Sequence, residues 1–87
     1  MATDKAATRK SSDARTLKAA HEVADSWRPK QNAPLSEWLT FRRATAALYT
    51  QIADIDRFHH HEAMYWAQRE QEIADELETR SNAEKSQ

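Results

Sequence analysis

Apolar residues recur along most of this chain with a helical period. From Leu35 to Arg80, residues Trp38, Thr45, Ile52, His59, Trp66 and Ile73 stand one heptad apart, with neither Gly nor Pro between them. Residues seven apart share one stripe of a helix. The spacing predicts a single helix over 36–80, a rod about 65–70 Å long at about 1.5 Å per residue. In its front half the stripe reads Trp38, Phe41, Leu48, Ile52 and Ile55, with Ala44 or Thr45 in the gap. In its back half it reads Phe58, His59, Ala63, Trp66, Ile73 and Leu77, widened by Met64 and Tyr65. The sideways drift is that of a straight helix set against a strict heptad.

A shorter helix is expected over 12–27. Leu17, Ala20, Ala24 and Trp27 fall on one face, and Ser12 or Asp13 would cap its first turn. Residues 28–35 form the connection, because Pro29 and Pro34 push the residue before each out of the α region. Ser36 is then the expected N-cap of the long helix, with Glu37 in its first turn. Residues 1–11 are read as a disordered basic arm and 81–87 as a disordered tail, both polar and without period.

These lengths pose a covering problem. Folded back, a helix of about 15 residues spans roughly 22 Å. It reaches along the long helix only to about Ile52 or Ile55. Phe58, Tyr65, Trp66, Ile73 and Leu77 are left without a partner, and a stripe of that size does not stay wet. Either the long helix bends near Asp56 and folds back as a third helix, or two copies pair antiparallel. No Gly, Pro or turn cluster marks a break, so the expectation is the pair. The fold class is therefore all-α: a helical hairpin with one short and one very long helix, joined as an antiparallel dimeric four-helix bundle.

Composition narrows the function. The chain has no Gly, which excludes phosphate-cradling loops and dinucleotide fingerprints, and no Cys, which excludes disulfides and thiolate metal sites. Net charge is −1, yet residues 1–18 are basic and residues 70–87 acidic. In an antiparallel pair the acidic end would lie near Arg28, Lys30, Arg42 and Arg43 of the other copy. No apolar run approaches a membrane span, and no leader-like apolar core opens the chain, so a cytoplasmic protein with no membrane partner is expected.

Candidate chemistry is confined to a few residues. Asp56, His59, His60 and Glu62 have helical spacings that bring carboxylate and imidazole together, a legitimate ligand set for zinc or iron. In the dimer, His59 would lie near the two-fold axis. His21, Glu22 and Asp25 form a second, smaller set. No Ser or Thr stands at a readable spacing from a His, and two crossing helices offer little concavity, so no enzyme is expected. The basic arm and Arg42-Arg43 offer phosphate contacts, but the acidic tail opposes them and nucleic acid is an unfavoured partner. Arg42-Arg43-Ala44-Thr45 matches a basic kinase site on a Thr expected to face the core.

The function expected is a small non-catalytic helical interaction module, a scaffold, adaptor or regulator acting as a homodimer and able to dock another helical protein. Its interaction residues would be Trp38, Phe41, Leu48, Ile52, Ile55, Phe58, Tyr65, Trp66, Ile73 and Leu77. A metal-binding bundle built on Asp56–Glu62 is the alternative, and an accessory nucleic-acid binder the third.

Overall fold

In the computed structural model, which describes residues 14–85, the chain is all-α and hairpin-like. Helix α1 spans Leu17–Ser26, α2 spans Leu35–Ile55 and α3 spans His60–Lys85. A 3-10 turn, Arg57–His59, joins α2 to α3. The rod expected over 36–80 is thus divided at Asp56. Helix α3 folds back along α2, and α1 lies against the pair. The bend near Asp56 with a third helix, and not the continuous rod, is the arrangement found.

Three boundaries also move. Helix α1 starts at Leu17, capped by Thr16, whose side chain accepts from the Ala19 amide at 3.0 Å. Residues 14–16 are not helical, and Ser12 and Asp13 lie outside the described residues, as does the basic arm. Helix α2 starts at Leu35 behind Pro34, without a side-chain cap, so Ser36 is a first-turn residue instead. Residues 81–85, expected to be tail, continue α3.

The core follows from how α2 and α3 meet. On α2 the covered stripe is Trp38, Phe41, Thr45, Leu48 and Ile52, alternating three and four residues apart. On α3 it is Ala63, Ala67, Glu70, Ala74, Leu77 and Ser81, with the same alternation. That is the seam of paired helices. Bulky side chains of α2 face mostly small ones of α3, which lets the backbones come close. Ile52, Ala53, Ala63 and Ala74 are fully covered. Helix α1 adds Leu17, Ala20 and Ala24 to the same core, with Trp27 packed at its edge.

The expected back-half stripe was out of phase in part: its Ala63 and Leu77 lie on the seam, whereas the other row of the seam runs through Ala67 and Ala74, one position after the expected Trp66 and Ile73. The break at Asp56 resets the rotation of the helix. Trp66 and Ile73 move to a half-buried flank, where Trp66 packs against the α1-side core.

Asp56 makes this hinge without glycine, at φ −94° and ψ 76°. Its backbone N–H closes α2 on the Ile52 carbonyl at 2.7 Å, and its carbonyl accepts from the His59 amide at 2.9 Å. Its carboxylate accepts from the Leu17 amide, the first of α1, at 3.0 Å. The same Oδ2 takes the His59 Nδ1 at 2.9 Å. One residue therefore closes α2 and ties α1 to the turn that leads into α3. The Leu17 amide bond, with a smaller contribution from His59, holds the Asp56 carboxyl below its ordinary value of 3.8. A depressed carboxyl contributes stability above its unfolded value and loses it as pH falls through the folded one.

Asp56→Ala is accordingly expected to lower the melting temperature at pH 7 by about 5–10 °C, the scale of a lost helix-terminal acceptor in a chain this small. The gap to the wild type should begin to narrow only as pH falls below the unfolded carboxyl value, about 4. Circular dichroism melts at pH 7 and pH 3 check both statements. An equal gap at the two pH values would mean that the charge of Asp56 contributes nothing.

Candidate interaction surface

The residues expected to mediate association divide into two groups. Phe41, Leu48 and Ile52 are buried inside their own chain, and Trp38, Trp66, Ile73 and Leu77 are half-buried. Ile55, Phe58 and Tyr65 are exposed, and Met64 joins them. Phe58 is 92% exposed, at the apex of the hinge, with the His59 ring edge-to-face with it. Ile55 ends α2 just before it, and Met64 and Tyr65 follow within the first two turns of α3. The apolar surface left to water is thus concentrated at the α2–α3 end. Around it stand Asp54, Arg57 and Glu62, exposed and in no ion pair among the described residues.

The expected metal set does not assemble. Asp56 is turned to Leu17 and His59, His60 directs Nδ1 at the Ala53 carbonyl at 2.8 Å, and Glu62 faces water. His21 bonds Tyr49 and Asp25 pairs with Arg28, so the second set is also dispersed. Among the described residues, no three His, Asp or Glu side chains of one chain are grouped so as to hold an ion. The reason is the hinge, which replaces helical spacing over 56–59 with a turn.

A second feature lies where the three helices meet. An open cleft of about 430 Å³ is lined by His21, Arg28, Arg42, Tyr49, Trp66 and Glu70, among others. His21 Nδ1 is 2.6 Å from the Tyr49 hydroxyl, and its ring meets Tyr49 and Trp66 edge-on. Arg42 Nη1 donates to both Glu70 oxygens, at 2.9 and 3.2 Å. The Arg42 guanidinium also lies over the Phe41 ring at 5.2 Å, and a second cation, Arg28, lies at 5.4 Å from the same ring. Burial, reinforced by the Glu70 charge and opposed by Arg28, pushes the Tyr49 hydroxyl up to about 12. It stays protonated and is neither base nor nucleophile near neutral pH.

Tyr49 and Glu70 were missed as core positions from sequence. Tyr49 stands four residues after Thr45 and eight after Phe41, a helical spacing that would have placed it on the buried side. Glu70 gave no such signal, because a charged residue at a seam position reads as a solvated one.

The remaining expectations concern the basic residues. Arg42 and Arg43, which were to meet acids of another copy, meet them within one chain: Arg42 on Glu70, Arg43 on Asp75 and Glu78. Thr45 is 2% exposed and its hydroxyl donates to the Phe41 carbonyl, which closes the kinase-like match. Among the described residues no helix is long and apolar enough to cross a membrane. Comparison with protein families, with characterised proteins and with solved structures finds no match.

Proposed function

We propose that this protein is a small non-catalytic helical interaction module that acts as a homo-oligomer, docking through the α2–α3 hinge. The observation that carries the reading is Phe58, a large aromatic side chain almost wholly in water at the apex of a chain that covers most of its other large apolar residues. Aromatic side chains supply much of the energy of contacts between proteins. The rim supports a second copy as the occupant. In a two-fold contact residue i meets j and j meets i, so unpaired Arg57 of each copy has unpaired Glu62 or Asp54 of the other available. The cleft supports the non-catalytic part: its His21 is bonded to Tyr49 and its Glu70 is held by Arg42.

The test is Phe58→Ser, followed by sedimentation equilibrium over a concentration series. Self-association should weaken roughly 30-fold, the scale of a central aromatic contact, with the melting temperature of the dilute protein unchanged. A wild-type chain that stays monomeric at the highest concentrations would overturn the reading. So would a dimer indifferent to Phe58→Ser.

A further inference from the structure

The hinge presents an apolar knob, and the other end of α2 carries an apolar hollow. An open groove of about 470 Å³ lies where the α1–α2 connection meets the first turns of α2. Trp27, Pro29, Phe41 and Ala44 make its apolar lining, and Glu37 borders it. Two other clefts are more polar. The one already described holds the His21–Tyr49 and Arg42–Glu70 pairs, and one between α2 and α3 is lined by Arg43, Gln68 and Gln71 among others. The chain's own Phe58 cannot fill the groove. It lies beyond the far end of α2, and Phe41 and Ile55 stand about 20 Å apart along that helix.

We propose that the Phe58 ring of one copy seats in the groove between Trp27 and Phe41 of a second copy. The inference rests on the homo-oligomer reading above and names the surface that receives the hinge. Shape argues for it. Aromatic anchors contribute most where they fill a pocket that excludes water. A facing hinge offers an exposed apex, whereas the groove is a hollow with an apolar lining. Charge argues for it as well. Glu37 on the groove and Lys30 beside Pro29 are exposed and in no ion pair among the described residues. Arg57, the residue before Phe58, supplies the opposite charge to Glu37, and Asp54 or Glu62 of the same hinge supplies it to Lys30. The two patches differ, so the contact orders the copies: hinge into groove, not hinge against hinge.

The experiment mixes two variants of the full chain, each lacking one side of the contact. Phe58→Ser keeps the groove and loses the ring. Ala44→Gln keeps the ring and sets a longer polar side chain in the groove. Ala44 is exposed and Gln is a good helix former, so this variant should keep the wild-type melt. In sedimentation equilibrium each variant alone should associate roughly 30-fold more weakly than the wild type. Mixed in equal amounts, they should form a one-to-one dimer, because the ring of one meets the intact groove of the other. If Ala44→Gln associates as the wild type does while Phe58→Ser does not, the hinge docks elsewhere on the second copy; the groove is then refuted and the homo-oligomer reading stands. A mixture no more associated than its two parts refutes the groove as well. A wild type that stays monomeric removes both readings.

Discussion

Glu70→Ala is expected to destabilise the protein by about 3–5 kcal/mol, because it leaves the Arg42 guanidinium buried without its counter-charge. A domain of this length has only about 5–10 kcal/mol in all, so a large part of the population would unfold on mild warming. The geometry explains the size of the effect. Glu70 lies on the α3 seam between Ala67 and Ala74, and the side chains of Arg42 and Glu70 are 19% and 9% exposed. Arg42 Nε is already buried without a partner, so the guanidinium has little hydration to fall back on. The double replacement Arg42→Met with Glu70→Leu removes both charges and keeps volume. It should lie within about 2 kcal/mol of the wild type or above it, since a buried pair seldom outperforms apolar packing. Urea unfolding followed by circular dichroism measures both. A cost below about 1 kcal/mol for Glu70→Ala would show a solvated surface pair, and the seam described here would be misplaced.

Ile52→Ala should cost about 2–5 kcal/mol, the range for truncating a fully covered aliphatic side chain. Ile55→Ala, one turn further on, should change stability by less than about 1 kcal/mol. The contrast matters because both residues belong to the same stripe in the sequence. In a continuous rod paired with a second copy they would be covered alike and would cost alike. In the hinged chain Ile52 is wholly buried between helices while Ile55 is 36% exposed at the end of α2. Comparable losses for the two in dilute solution would therefore count against the hinge at Asp56.

The association tests and these stability tests are independent. Phe58 is exposed at the apex of the hinge, so its substitution should leave the urea midpoint unchanged. Glu70 and Ile52 lie inside one chain, and their replacement should act on folding at any protein concentration.

The sequence by itself determined the all-α class, the amphipathic face of α1 and the front-half stripe of α2. In those segments local propensity and the apolar period point the same way. Leu17, Ala20, Ala24, Phe41, Leu48 and Ile52 were legible because each is apolar and helically spaced within a segment whose rotation nothing interrupts. The tertiary structure alone decided the hinge. Asp56 carries no turn signature of its own. It ends α2 with its carboxylate accepting from the Leu17 amide, 39 residues away in the chain. With that break the α3 seam keeps the expected Ala63 and Leu77 but takes Ala67, Glu70 and Ala74, two small residues and a charged one, in place of Trp66 and Ile73. It also separated Asp56 from Glu62, and left Phe58 in water instead of under a partner helix. A sequence period reports which residues can share a face. Which face is covered, and by what, depends on contacts between residues far apart in the chain, and those exist only once it has folded.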